Sequence, residues 1–71
     1  MNDKKWMIHQ NLAFLRKSRQ LSLEEVAERV GVSRQAVGKW ESGETVPDIV
    51  NCDALAELYN VSVDGLLHND G

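Results

Sequence analysis

The chain has few of the residues that small proteins use for covalent or metal cross-links. Its single cysteine, Cys52, excludes an internal disulfide and offers no cysteine framework for a metal ion. His9 and His68 stand at opposite ends of the 71 residues and lack the spacing of metal ligands. We therefore expect no metal and no cofactor. The lone thiol fits a reducing compartment, which predicts a cytoplasmic protein.

Long apolar runs, phosphate-binding loops and paired acids are also lacking. The apolar stretches are far shorter than a membrane-spanning helix, and no signal peptide is evident. The sequence contains no glycine-rich phosphate loop and no acid pair that stands out for acid–base catalysis. A chain of 71 residues also does not easily enclose a deep substrate pocket. These absences predict a protein that is not an enzyme, without catalytic residues, membrane contact or a small-molecule site.

Positive charge is absent from the second half of the chain. All eight Lys and Arg residues precede residue 41 and share that part with four acids, so residues 1–40 carry +4. Residues 41–71 contain seven acids and no Lys or Arg, which gives −7. The asymmetry predicts a basic surface for a polyanion and an acidic remainder, although two differently solvated faces of a small domain would look the same.

The apolar residues recur at helical spacing and predict an all-α domain of five helices. We expect one domain over residues 1–71, with its core in about 6–68. The first three helices are expected over about 6–18, 23–30 and 34–42. Asp48 caps the fourth helix, which ends at Asn60, and Ser62 caps the fifth. The expected core positions outside the second and third helices are Ile8, Leu12, Leu15, Ile49, Cys52, Leu55, Ala56, Tyr59, Val63, Leu66 and Leu67.

Residues 21–43 form the stretch around which the chain is organised. Ser22 and Glu25 have the spacing of a capping box, and Ser33 begins a second short helix. Gly31 allows a sharp reversal between the two helices. The inward-facing residues are Val26, Ala27, Val30, Ala36, Val37 and Trp40. This pattern predicts a helix-turn-helix.

The outer side of the second of these helices carries the candidate chemistry. Arg34 and Gln35 lie in its first turn, beside Ser33, and Lys39 follows one turn later. Arginine can bridge guanine O6 and N7, and glutamine can pair with adenine N6 and N7, in the major groove of DNA. Free backbone N–H groups at the helix starts at Ser22 and Ser33 suit phosphates. The alternative is an ordinary solvated helix face.

The segment LSLEEVAERVGVSRQAVGKWESG resembles the helix-turn-helix of the Cro/repressor family, also called the XRE family, of bacterial and phage regulators. NLAFLRKSRQ resembles the first helix of that family, and VPDIVNCDALAELYNVSVDGLL resembles helices four and five, so the likeness covers about residues 8–67. It implies a compact five-helix repressor-type domain. Such a domain binds double-stranded operator DNA as a homodimer and places helix three, about 34–42, in the major groove.

Residue by residue, the resemblance implies three kinds of role. Arg34, Gln35 and Lys39 match base-contacting positions. Ser22 and Ser42 match phosphate-contacting positions, and Ser33 lies at the helix start beside the base-contacting residues. Arg16 and Glu41 match a charged pair that ties helix one to the end of helix three. We expect losing one partner of such a pair to cost more than losing an exposed one.

Three positions depart from the family pattern. Leu23 stands where a glutamine commonly reaches DNA, so that contact is expected to be missing. Gln20 holds a turn position often occupied by glycine, which implies strain or a different turn. Gly38 interrupts the third helix at a cost of roughly 0.5–1 kcal/mol relative to alanine. Either the glycine arose by drift at an exposed site, or it allows the helix backbone to approach DNA closely.

A second class of function stays open on the sequence alone. The fold could serve as a protein-interaction module or an antitoxin with reduced DNA binding, as the acidic second half and Leu23 suggest. Met7 and Phe14, a weak second apolar stripe on the first helix, are the surface features that would suit such a partner. For a homodimer, the candidate surface is the 44–48 loop with helices four and five, including Leu58.

Overall fold

The computed structural model describes residues 7–67, and the regular structure within that range is entirely α-helical. The helices are α1 (Ile8–Ser18), α2 (Leu23–Val30), α3 (Arg34–Ser42), α4 (Ile49–Tyr59) and α5 (Val63–Leu67). The all-α prediction of five helices is therefore confirmed. The predicted start of the first helix near Trp6 is wrong, because Met7 has an extended backbone and is the N-cap. Trp6 itself lies outside the described residues.

Local side-chain bonds begin most of the helices. The hydroxyls of Ser22, Ser33 and Ser62 and a carboxylate oxygen of Asp48 each accept the N–H three residues later. Left-handed residues follow three of the helices: Gly31, Gly43 and Asn60. Because each signal lies within a few residues of the helix end it controls, the bounds of α2, α3 and α4 could be predicted from the sequence.

One apolar core joins the five helices. It consists of Leu12, Leu15, Val26, Ala27, Val37, Trp40, Cys52, Leu55, Tyr59 and Leu66, with Ala56 also buried. Helix α3 packs against α1 and α2, while α5 packs against α1 and α4. Helix α3 is therefore packed against α1 on one side and α2 on another, and its remaining side is exposed.

Some predicted core positions are exposed. Ile49 is 81% exposed, and Val63 and Leu67 are more than one third exposed. These three expectations were wrong because helical periodicity predicts a face but not which turns of that face have a neighbour. Ile49 is the first residue of α4, and neighbouring helices do not cover that turn. Leu58, in contrast, packs against the core and is partly buried.

Two polar side chains, one in α1 and one directly after it, bind the backbone of the last two helices. The amide nitrogen of buried Asn11 donates to the carbonyl oxygens of Gly65 (2.9 Å) and Leu66 (2.8 Å) in α5. A guanidinium nitrogen of Arg19 donates to the carbonyl oxygen of Tyr59, at the end of α4, over 2.6 Å. The guanidinium carbon also lies 6.0 Å from the centroid of the Tyr59 ring. Both residues therefore have structural roles that the sequence did not reveal.

Cys52 and His9 are used for packing. The thiol of Cys52 is buried and donates to the carbonyl oxygen of Pro47, and burial raises the pKa of this thiol. The His9 ring lies against Gly43, where an added Cβ would stand 3.2 Å from Nδ1. Since Gly43 also has a φ of +86°, both its backbone and its neighbour favour glycine. His68 lies outside the described residues.

Candidate nucleic-acid interface

A tight reversal after α2 sets the direction of α3. The N–H groups of Gly31 and Val32 both donate to the carbonyl oxygen of Ala27, at 2.8 and 3.0 Å. Gly31 makes this possible with a φ of +87°. Val26 of α2 and Val37 of α3 both belong to the core and are almost completely buried. The orientation of α3 is thus fixed by the turn and by apolar packing.

The exposed side of α3 carries the residues that the sequence singled out. Arg34, Gln35 and Lys39 are exposed. Val37 and Trp40, on the other side of the helix, are buried. Within residues 7–67 no carboxylate lies within 4.0 Å of the charged groups of Arg34 and Lys39. This face therefore presents two unpaired cations and one amide that donates and accepts hydrogen bonds.

The three candidate serines are not equivalent. The Oγ atoms of Ser22 and Ser33 accept backbone N–H groups at 3.0 and 3.1 Å, which leaves each hydroxyl proton available to another acceptor. The Ser42 hydroxyl donates its proton to the carbonyl oxygen of Lys39 over 3.1 Å. A phosphate contact from the Ser42 side chain would therefore require that bond to break, whereas contacts from Ser22 and Ser33 would not.

An ion pair connects α1 to the end of α3. Arg16 Nε donates to one carboxylate oxygen of Glu41 at 2.8 Å, and a terminal nitrogen donates to the other at 3.0 Å. The remaining terminal nitrogen donates to the carbonyl oxygen of Leu21 at 2.9 Å. The bond to Glu41 raises the pKa of Arg16. The charged pair that the resemblance implied is therefore present, with bidentate geometry, and it spans α1, α3 and the segment before α2.

Part of the positive charge of the first half is occupied within the fold. Arg16 binds Glu41, and Arg19 binds the end of α4. Apart from Arg19, the exposed cations of the described residues are Lys17, Arg29, Arg34 and Lys39, and α2 exposes Glu24, Glu25 and Glu28. On α2 and α3 together, the three exposed cations Arg29, Arg34 and Lys39 are therefore matched by three exposed acids.

The three departures from the family pattern have different structural outcomes. Leu23 is partly buried and packs against the core, so its side chain offers no hydrogen bond. Gln20 has a φ of +59°, which is the strained alternative of the two that the sequence left open. Gly38 has an ordinary helical backbone, and an added Cβ would meet nothing within 4 Å. Packing against the core therefore explains why a leucine occupies position 23, whereas packing does not require a glycine at position 38.

Other kinds of site receive no support within residues 7–67. No group of three or more His, Cys, Asp or Glu side chains is placed to hold a metal ion there. None of the helices in this range has the length and apolar character needed to cross a bilayer. The exposed face of α3 is therefore the candidate site that the described residues offer.

The comparisons with known proteins agree with this geometry. A family model described as helix-turn-helix matches residues 12–66, which span all of α2, α3 and α4. The chain belongs to the helix-turn-helix family. Its structural neighbours are repressors of the Cro and c2 type, so the resemblance to the Cro/repressor family is confirmed. This family and this fold are those of DNA-binding regulators, which are typically not enzymes.

Solved structures of this family match over most of their length. The P22 c2 repressor in complex with a synthetic operator has a TM-score of 0.84 and 31% identity, with 87% of this chain and 94% of that one covered. SinR of Bacillus subtilis in complex with DNA has a TM-score of 0.78 and 31% identity, with 84% and 97% covered. The five-helix arrangement is thus shared along nearly the whole domain.

Curated relatives of the family are longer proteins. An uncharacterized transcriptional regulator of Bacillus subtilis, YobD, is 38% identical over 61 residues, which are 86% of this chain and 54% of that protein. The transcriptional activator BcrR of Enterococcus faecalis is 34% identical over 62 residues, 87% of this chain and 30% of that protein. The helix-turn-helix chain described here therefore corresponds to only part of each relative.

Proposed function

We propose that this chain binds a DNA operator sequence-specifically as part of a transcriptional repressor, with α3 in the major groove. The observation that carries the proposal is the exposed face of α3, where Arg34, Gln35 and Lys39 project from a helix whose other side is buried. The P22 c2 repressor and SinR, which share this fold, have been solved with DNA.

Each of the three side chains has a role in the proposed complex. Arg34 bridges O6 and N7 of a guanine, and Gln35 pairs with N6 and N7 of an adenine, because both lie in the first turn of α3. Lys39, one turn later, reaches a base or a phosphate. Arg16 and Glu41 act indirectly, because their ion pair holds the end of α3 against α1.

The helix starts provide the phosphate contacts. The N-termini of α2 and α3, capped by Ser22 and Ser33, present backbone N–H groups and a positive dipole end. Both hydroxyls keep a proton for a phosphate oxygen, as described above. Ser42 is the weaker candidate, because its hydroxyl proton is already donated to the backbone carbonyl oxygen of Lys39.

A homodimer on a two-fold symmetric operator completes the proposal. A single domain of this size makes few contacts, and two copies would read half-sites about 34 Å apart. The 44–48 loop with α4 and α5 is the proposed dimer surface. Five of the seven exposed large hydrophobic residues of the described range lie in this part of the chain: Val46, Ile49, Val50, Val63 and Leu67.

Titration into random duplex DNA, first at low and then at higher salt, tests this function. Phosphate contacts predict binding that weakens steeply as salt rises. Selection of bound sites from random DNA should then return a symmetric sequence. A folded protein that fails to bind duplex DNA at low salt would contradict the proposal.

Gln35→Ala tests the reading of bases. We expect a loss of about 1–3 kcal/mol in binding free energy at the selected operator, with relaxed preference at one base pair. Gln10→Ala is the matched control, because Gln10 is an exposed glutamine of α1, outside α3 and outside the proposed dimer surface. A uniform loss across all DNA sequences would assign Gln35 to the phosphate backbone instead.

A protein-interaction module is the second candidate function. Val46, Ile49 and Val50 are 67%, 81% and 72% exposed within five residues, and this apolar surface lies in the acidic half of the chain. The same titration discriminates between the candidates, because an interaction module would lack salt-dependent DNA binding while keeping the fold.

A further inference from the structure

Gly38 is the one described glycine whose presence the fold does not explain. Gly31 and Gly43 have positive φ angles, and an added Cβ at Gly65 would stand 3.2 Å from the Ser62 hydroxyl. Gly38 has neither feature, since its backbone is helical and an added Cβ would enter open space. It occupies the middle of the nine-residue helix α3, where glycine has the lowest helix propensity of any residue except proline.

The position of Gly38 on the helix is specific. At 3.6 residues per turn, residue 38 lies between Arg34 and Ser42 on the surface of α3. Gln35 and Lys39 stand on the same side, and all four of these neighbours are exposed. A side chain at position 38 would therefore project from the middle of the face that we assign to DNA.

We propose that DNA approaches the backbone of α3 most closely at Gly38, so that this glycine sets how deeply the helix enters the groove. The inference rests on the proposed function and adds a positioning residue to it. Here the absent side chain is the functional feature, because it lets the helix backbone stand where a methyl group would otherwise be.

The consequence of adding a methyl group follows from contact distances. Carbon atoms in contact lie about 3.5–4.0 Å apart, and protein hydrogen bonds span only about 2.7–3.2 Å. A Cβ on the contacting backbone would push the helix outward by more than the hydrogen bonds of Arg34 and Gln35 tolerate. Because a helical Cβ leans toward the N-terminus, it would also intrude on the turn that carries these two residues.

Gly38→Ala separates this role from a purely structural one, because the two readouts should move in opposite directions. We expect a melting temperature about 2–8 °C higher, since alanine is the better helix former. We expect operator affinity at least about tenfold lower, the effect of one misplaced methyl group in a fitted site. Gln20→Gly is the control, because it should also raise stability but lies outside α3 and outside the proposed dimer surface, so operator affinity should stay unchanged.

A larger side chain tests whether space is the cause. Gly38→Leu keeps high helix propensity and should bind more weakly than Gly38→Ala, because it displaces the DNA further. Affinity of Gly38→Ala within about twofold of the original would overturn the proposal. So would a lowered melting temperature of Gly38→Ala, or leucine and alanine variants of equal affinity.

These outcomes are distinguishable from failure of the proposed function. If the unaltered protein shows no salt-dependent binding to duplex DNA, both the function and the role of Gly38 are overturned. If the unaltered protein binds and Gln35→Ala weakens that binding while Gly38→Ala does not, only the role of Gly38 is overturned. Both measurements use the same selected operator and the same folded chain.

Discussion

Replacing Glu41 with alanine should destabilise this domain more than the loss of an ordinary surface ion pair would. Exposed pairs contribute about 0.2–1 kcal/mol. The side chains of Arg16 and Glu41 are only 14% and 10% exposed, and two hydrogen bonds join them. Removing the carboxylate leaves a nearly buried guanidinium whose remaining partner within residues 7–67 is the carbonyl oxygen of Leu21.

The expected cost lies between two limits. Hydrogen bonds to charged groups contribute about 1.5–3 kcal/mol, and removing one partner of a fully buried pair costs about 3–5 kcal/mol. Because Arg16 keeps its bond to Leu21 and some contact with water, we expect Glu41→Ala to lower the free energy of unfolding by about 2–3 kcal/mol. For a domain of this size, that is about 10–20 °C in melting temperature.

Urea unfolding of a double-mutant cycle measures the pairwise term. The single variants are Glu41→Ala and Arg16→Met, since methionine keeps an unbranched apolar side chain in place of the arginine. The double variant should be less destabilised than the sum of the two, by about 1–2 kcal/mol. Lys17→Met is the control, because Lys17 is exposed and no ion pair holds it within residues 7–67. A cost below about 0.5 kcal/mol, or strict additivity, would refute the reasoning.

Two further predictions concern the ends of α1 and α2. Gln20→Gly should raise the free energy of unfolding by about 1 kcal/mol in thermal melts, because glycine adopts the φ of +59° without a steric penalty. Glu25→Gln should flatten the loss of stability in acid. The bond from the Ser22 N–H lowers the pKa of Glu25 below 4.5, so its contribution is present above pH 4.5 and is lost as the pH falls through the lowered pKa.

Neighbouring residues supply the controls for both. Asn60→Gly should stabilise less than Gln20→Gly, because asparagine tolerates the left-handed conformation that both positions share. Equal or opposite effects would mean that Gln20 is not strained. Glu24→Gln is the control, because Glu24 makes no cap bond within residues 7–67. An unchanged profile in Glu25→Gln would contradict the capping role.

The sequence predicted those parts of the fold that local chemistry determines. Helices α2 and α3 begin and end where expected, because Ser22, Ser33, Gly31 and Gly43 act on the backbone within a few residues. The candidate face of α3 follows from the same information, since helical spacing alone separates Arg34 and Gln35 from the buried side.

Contacts between residues far apart in the sequence could not be predicted from local sequence patterns. Asn11 contacts the end of α5 across 54 and 55 residues, and Arg19 contacts Tyr59 across 40. Their polarity predicts a surface position or, for Arg19, a role at its own helix end. The pair of Arg16 and Glu41, 25 residues apart, was predicted only through the resemblance to the Cro/repressor family. The one signal that the sequence offered for the first of these contacts is the position of Asn11, three residues after Ile8 and four before Leu15, on the apolar side of α1.

Gln20 and Gly38 each lower the stability of the fold, Gln20 through its left-handed backbone and Gly38 through its low helix propensity. The two losses of stability have different consequences for binding. Gln20 follows α1 and is not part of α3, and glycine would adopt its left-handed backbone without strain. We therefore expect its strain to lower stability without affecting operator affinity. Gly38 lies in the middle of the face assigned to DNA, where the structure leaves room for a side chain that is absent. Gln20→Gly and Gly38→Ala should then both raise the free energy of unfolding, but only Gly38→Ala should reduce operator affinity. Measuring unfolding and binding for both variants therefore distinguishes a residue without a functional role from one that positions the helix on DNA.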